Sequence, residues 1–337
     1  MSETEFLATS TTATPRRLGR SGETVSALGM GCWAIGGAMA AGDQQLGYAG
    51  SDDDESRAAL ERAVERGVTL FDTADAYGAG HSERLIGETV AQRPGVLVAT
   101  KFGNTIDEQS RQLTGTDSSP DYLPRALTAS LRRLRRDHVD LYQLHTIPVG
   151  RGEAEDLVSV LEREVEAGRV RWYGVSTDDP DQAALFAGAP HCTALQIQLN
   201  VFDDNQPMLD VCAEHDLAAL CRSPLAMGLL GGRYTADSKL PADDIRGRQP
   251  DWLRWFTDGR PTPEFLDSLD RVRSLLTEDG RTLAQGALAW IWAHHPQTVP
   301  LPGFRNRGQV DANTDALDFG PLTAEQHRAV EAALGRG

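Results

Sequence analysis

From Leu28 onward, short apolar runs alternate with longer segments of helical period, the pattern of repeated βα units and a parallel sheet. Eight such runs occur, at residues 28–31, 68–71, 96–100, 139–144, 170–175, 194–198, 217–221 and 298–301. Between and after them the periodicity predicts helices over 54–66, 82–91, 122–134, 153–167, 181–187, 207–215, 282–294 and 307–316. Eight strands in this alternation predict a closed (β/α)8 barrel of the TIM type. Residues 16–26 are expected as an N-terminal hairpin plugging the barrel bottom, and 262–277 and 323–334 as additional helices outside it. Residues 104–119 and 228–260 read as long polar loops, which in compact domains are usually functional. The competing fold is an open doubly wound sheet with a Gly-rich turn between its first strand and a helix. Gly29-Met30-Gly31-Cys32-Trp33-Ala34 fits the loose form of that turn, but Ile35-Gly36-Gly37 and a long Gly/Ala-rich loop follow it, so the required helix is absent.

A length of 337 residues fits one barrel domain with loop insertions, over 16–337, better than two domains. Residues 1–15, rich in Ser and Thr, lack a basic start and an apolar stretch, and read as a flexible tail. Acidic residues outnumber basic ones 49 to 33, and a formal charge of -16 excludes a nucleic-acid backbone as a general partner. It does not exclude an anionic ligand, because salt screens distant charge over about 8–10 Å while a few local Arg side chains and N–H groups act at contact. Cys32, Cys192, Cys212 and Cys221 form no C-x-x-C pair, which suits reduced thiols in the cytoplasm. The longest strongly apolar run, 286–293, is too short to cross a bilayer, so no membrane partner is expected.

Active sites of such barrels form at the C-terminal strand ends, so the polar residues directly after each apolar run carry the information. The second run ends in Asp72, the third in Lys101 and the fourth in His145, and Tyr77 follows Asp72 in a loop closed by Gly78 and Gly80. These four titratable groups are expected to converge on one rim. A phenol of pKa about 10 exchanges protons poorly near neutrality, and an adjacent ammonium lowers that value. Lys101 is expected to supply the ammonium, Asp72 to offset the cost of burying it, and His145 to hydrogen-bond and orient a carbonyl oxygen. No metal is expected, since the His, Asp and Glu residues show no ligand spacing, and no Ser-His-Asp elbow is evident.

The segment from Asp72 to Gly78, with Lys101 and His145, resembles the Asp-Tyr-Lys-His tetrad of the aldo-keto reductases, over about residues 17–333. The resemblance implies Tyr77 as general acid/base, Asp72 and Lys101 as its tuning pair, and His145 as the carbonyl-orienting group. It also implies a nicotinamide cofactor, NADP. Ser176 and Gln196 correspond to the carboxamide contacts, with Thr177 where the family usually has Asn. Arg222, Ser223 and Leu225 correspond to the segment that stacks on the nicotinamide and opens the pyrophosphate loop, which Gly228 and Arg233 complete. Gly303, Arg305, Gln309 and Asn313 correspond to the adenosine end, Arg305 being placed to meet a 2′-phosphate. Trp33 and Phe102 are expected to line the substrate mouth, with Trp252, Trp255 or Phe256 as lid residues and Asp43, Asp107 and Glu108 as partners for substrate hydroxyls. Aromatic walls suit a flat, apolar or sugar-like carbonyl compound. The function implied is reduction of an aldehyde or ketone by NADPH; a nucleotide-binding regulatory or scaffold protein with little turnover is the alternative.

Overall fold

The eight apolar runs become eight parallel strands: β1 (Met30–Gly31), β2 (Leu70–Asp72), β3 (Leu97–Phe102), β4 (Val139–His145), β5 (Val170–Ser176), β6 (Cys192–Gln198), β7 (Ala218–Arg222) and β8 (Thr298–Pro300). They come from a computed structural model that describes residues 12–145, 148–241, 244–247 and 253–336. Each strand pairs with the next in chain order. The ring closes where the Gly29 N–H donates to Pro300 O at 3.0 Å, the Gly31 N–H donates to Pro302 O at 3.1 Å, and Gly31 bridges Gly303. A Cβ at residue 31 would stand 2.7 Å from the Leu301 carbonyl oxygen, so the closing seam requires glycine there. The result is a (β/α)8 barrel.

Alternation along the strands sorts their side chains. Leu70, Leu97, Ala99, Leu141, Ala194, Ala218, Leu220 and Val299 pack together inside the barrel, with Leu18 and Val25 of the N-terminal hairpin beneath them. That hairpin pairs Arg16–Arg17 with Thr24–Val25, as expected. Two residues further along, on the same inward face, come Asp72, Lys101, Gln143, Gln196 and Arg222, and on β5 Ser176 stands two beyond Gly174. The barrel is therefore apolar at the bottom and polar at the top. The polar rim residues also explain why β3, β4, β5 and β7 run past their apolar runs: they remain in register, Gln143 against Lys101, His145 against Ser176, and Gln198 against Arg222.

Around the strands lie α1 (Asp53–Glu65), α2 (His81–Thr89), α3 (Leu123–Leu134), α4 (Arg151–Glu166), α5 (Pro180–Ala187), α6 (Gln206–Glu214), α7 (Pro263–Leu276), α8 (Leu283–His294), α9 (Arg307–Thr314), α10 (Ala316–Phe319) and α11 (Ala324–Ala333). Capping residues set several starts. The Asp52 carboxylate accepts from the Glu55 N–H at 2.9 Å, and Thr282 and Thr323 each open a capping box, with Gln285 and Gln326. At the N-terminus, Ala13 donates its N–H to Leu317 O at 2.8 Å, and residues 1–11 lie outside the described residues.

The two expected loops are more ordered than polar composition implies. Residues 104–119 contain an antiparallel hairpin, Asn104–Asp107 with Gln112–Thr116, joined by Ala40–Ala41 and Gln44–Gln45 into a four-stranded sheet. Residues 228–260 contribute a turn of helix at Ile245–Gly247 and the strand Phe256–Thr257, which pairs with Arg260–Pro261. Trp255 and Phe256 are fully buried in the main core, so they are not lid residues, and Trp252 lies outside the described residues.

Candidate active site

Three strand ends and one loop deliver the predicted tetrad to the top of the barrel. The Lys101 ammonium, fully buried, donates to Asp72 Oδ2 at 2.7 Å, to the Thr73 carbonyl at 2.8 Å and to the Tyr77 hydroxyl at 3.2 Å. Asp72 Oδ1 accepts from Gln196 Nε2 at 2.7 Å and Gln143 Nε2 at 3.3 Å. The buried carboxylate is thus held from across the barrel interior, which meets the condition under which a buried ion pair persists. Gly78 makes the Tyr77 loop possible: its φ is +60°, and a Cβ there would fall 2.0 Å from the Gly36 carbonyl oxygen.

The His145 ring sits edge-on to Tyr77, with centroids 5.9 Å apart. Its Nδ1 lies 3.3 Å from the Asn104 amide nitrogen. That nitrogen can only donate, so Nδ1 accepts and a neutral imidazole carries its proton on Nε2. Burial, then Lys101 and Arg222, push the His145 pKa well below its ordinary value. Burial pushes the Tyr77 phenol above its ordinary value, outweighing the opposing pull of Lys101. Lys101 pulls this phenol pKa down, as expected, and burial, absent from the sequence-based expectation, pushes it up by more. The lysine itself stays charged: burial opposes the ammonium, but Asp72 and Tyr77 hold its pKa above normal.

These groups open into a cleft of about 640 Å³. Ser176, Gln196, Arg222, Ser223, Leu225, Gly228, Arg233, Gly303, Arg305 and Gln309 all line it, as does Trp33, which stacks on Tyr77 at 5.8 Å. Asn313 does not reach the cleft; its Nδ2 donates to the Gly303 carbonyl at 3.3 Å and braces the loop that does. Phe102 is the clear displacement. Lys101 faces the barrel interior, so the next residue must face the helices, where Phe102 stacks on Tyr142 at 4.8 Å, fully buried. Asp43, Asp107 and Glu108 are also outside the cleft wall: Asp107 caps the turn at Gln109 and Ser110, and Glu108 pairs with Arg84, Arg132 and Arg133.

The cleft has features suited to a large anionic ligand. The Ser176 hydroxyl is buried with no hydrogen-bond partner among the described residues. Ser223, Ala226, Met227 and Gly228 all have positive φ, between +46° and +93°, a strained backbone of the kind that forms anion-binding concavities. Four guanidiniums line the wall. Arg222 pairs with Asp178, and Arg246 with Asp244 at 2.7 Å. Arg233 and Arg305 have no ion-pair partner among the described residues; Arg305 donates to the Ala49 carbonyl at 3.1 Å, and Gln309 Oε1 accepts from its backbone N–H at 2.7 Å. The Gln196 amide nitrogen is committed to Asp72, leaving its oxygen for a ligand. Thr177 Oγ1 accepts from the Asp179 N–H at 3.1 Å and so caps a loop.

Asn104, Gln143, Asp178, Tyr48 and Arg246 belong to the site without having been singled out in the sequence. Asn104 and Gln143 were within reach, one three residues beyond Lys101 and the other two before His145 on the same strand face. Tyr48 and Arg246 come from segments without periodicity and meet only in space, with Arg246 5.3 Å over the Tyr48 ring and Tyr48 donating to the Met227 sulfur at 3.3 Å.

The model of the aldo/keto reductase family matches residues 27–334. A glycerol dehydrogenase from Gluconobacter oxydans superposes with a TM-score of 0.79 at 30% identity, covering 95% of each chain. An aldo-keto reductase from Bacillus halodurans gives 0.75 at 27% identity, covering 95% of this chain and 96% of that one. In sequence, a chloroplastic pyridoxal reductase of Arabidopsis thaliana is 32% identical, over 92% of this chain and 83% of its own length. An aldo-keto reductase of Schizosaccharomyces pombe, named with NADP(+), is 28% identical over 90% of this chain and 86% of its own.

Proposed function

Since the chain belongs to the aldo/keto reductase family, we propose that it is an NADP-dependent oxidoreductase that reduces an aldehyde or ketone to the alcohol, with Tyr77 giving the proton. The observation that carries this reading is the buried Asp72–Lys101–Tyr77 chain at the mouth of a cleft whose wall offers, among the described residues, a Ser176 hydroxyl with no hydrogen-bond partner and two guanidiniums with no ion-pair partner. When bound, the nicotinamide supplies the hydride. Ser176 and the Gln196 oxygen would hold its carboxamide, Arg222 would stack on its ring, and the strained 223–228 backbone with Arg233 would meet the pyrophosphate. Gly303 and Gln309 would border the adenosine, and Arg305 the 2′-phosphate, which is the basis for preferring NADP.

Tyr77, held neutral by burial, hydrogen-bonds the substrate oxygen and passes its proton as the alcohol forms. The phenolate left behind faces the Lys101 ammonium 3.2 Å away, so charge develops where a fixed cation already stands. The neutral His145 donates from Nε2 to the same oxygen and fixes its direction. A complete, hydrogen-bonded set of these groups favours turnover over the regulatory reading. Trp33, Met39, Leu46 and Leu113 line the cleft, while Asp43, Asp107 and Glu108, expected to bind hydroxyls, are not among its lining residues. A carbonyl on a flat or apolar body therefore suits the site better than a polyhydroxylated one. The cytoplasm remains the proposed location, supported by four buried, unpaired cysteines; among the described residues no helix is long and apolar enough to cross a membrane.

The test is loss of reduced-nicotinamide absorbance with NADPH and a panel of aldehydes and ketones, where at least one is expected to turn over. Arg305→Ala should weaken NADPH by roughly ten- to a hundred-fold, the worth of a hydrogen bond to a charged group at about 1.5–3 kcal/mol, and leave NADH nearly unchanged. Equal loss for both cofactors would remove the 2′-phosphate role.

A further inference from the structure

Outside the barrel, at the seam of α8 and α11, three metal-capable side chains meet that the carbonyl chemistry does not use. His294 ends α8, while His327 and Glu331 stand one turn apart on α11 and so share a face. His294 Nδ1 and His327 Nε2 are 3.1 Å apart, and one oxygen of Glu331 joins them so that all three ligand atoms lie within 4.8 Å of one another. We propose that His294, His327 and Glu331 bind a divalent transition-metal ion, zinc by ligand type, which staples the C-terminal helix α11 to α8.

The geometry fits the ion. Tetrahedral zinc with Zn–N bonds of about 2.0–2.1 Å places two ligand nitrogens about 3.3 Å apart, close to the observed spacing. The carboxylate oxygen lies within 4.8 Å of both nitrogens, so a side-chain adjustment completes the triangle, and water takes the fourth position. Two imidazoles and one carboxylate suit zinc, copper or cobalt and do not suit magnesium or calcium, which take oxygen.

The surroundings hold the ligands in place. Trp290 stacks on the His294 ring at 4.4 Å and lies 5.8 Å from the His327 ring. Its indole N–H donates to Glu331 Oε1 at 2.9 Å, an outer contact of the kind that orients metal-binding carboxylates. Arg336 donates to the same oxygen at 2.9 Å, and Asp204, 3.6 Å from Arg336, balances that guanidinium. The two facing nitrogens share one hydrogen bond, so one of them carries a proton, and binding moves that proton to the far nitrogen of its own ring, which turns both lone pairs to the ion. All three residues are half-buried, so solvent reaches the site. The sequence hides this group because His294 is far along the chain from the pair on α11.

The full chain, stripped with EDTA, is titrated at neutral pH with Zn2+ by calorimetry and with Co2+ by visible absorption. Saturable Zn2+ binding, a tetrahedral Co2+ band and a Zn2+-dependent rise in Tm are expected. His327→Gln and, separately, Glu331→Gln should lower Zn2+ affinity at least about ten-fold and abolish the Co2+ band, with carbonyl turnover unchanged. Absence of saturable binding in the wild type overturns the site. So does binding undiminished in both variants, which would place the ion on other histidines. If His327→Gln does not fold, Glu331→Gln decides by the same two readouts.

Discussion

At Tyr77 and His145 burial favours the uncharged form of each side chain, which raises one pKa and lowers the other. If Tyr77 gives the proton as proposed, reduction needs the protonated phenol, and that form is lost only as pH climbs through a value above the ordinary phenol pKa of about 10. The imidazole gains charge only as pH falls well below about 6.5. Reduction measured as kcat/KM should therefore be flat across neutrality, with no alkaline fall below about pH 10; a fall centred near neutral pH would contradict the protonation states assigned here. At this scale the tetrad was legible in the sequence because each member ends an apolar run or stands just beyond one. The orientation of single aromatics was less so. Phe102 was readable in principle, since a strand residue next to an inward Lys101 must face outward, whereas the burial of Trp255 and Phe256 depends on how a long segment folds back.

Among the elements, helix periodicity and strand runs foretold each barrel unit to within a residue or two, because one face of every element is apolar. The hairpin Asn104–Asp107 with Gln112–Thr116 was not foretold. It is half-exposed to fully exposed, its register shifts between Thr105 and Ile106, and its neighbours Ala40–Ala41 and Gln44–Gln45 are remote in sequence. Close packing between elements is equally invisible to periodicity, and α8 shows its strength. In an isolated helix Gly286→Ala should gain about 1 kcal/mol. Here the added Cβ would stand 1.9 Å from the Leu276 carbonyl oxygen at the end of α7. The substitution should instead destabilise the protein by about 1–3 kcal/mol in urea unfolding. Measured stabilisation would mean that α7 and α8 are not packed as described.

Across the whole molecule, a chain of net charge -16 assembles a cleft walled by four guanidiniums, so the overall acidity and the local site have opposite electrostatic character. That contrast was only partly legible. Arg222, Arg233 and Arg305 stand in segments that resemble the family, but Arg246 and Tyr48 reach the cleft through folding alone. The barrel makes the chemistry possible by bringing β2, β3 and β4 side by side, so that Asp72, Tyr77, Lys101 and His145 share one rim above an apolar floor. The most direct test is turnover by Tyr77→Phe with NADPH and a carbonyl that the wild type reduces, alongside cofactor binding. Loss of the hydroxyl should lower kcat by about 10²–10⁴-fold while NADPH affinity stays within a few-fold of wild type. Wild-type turnover by the variant would contradict the account.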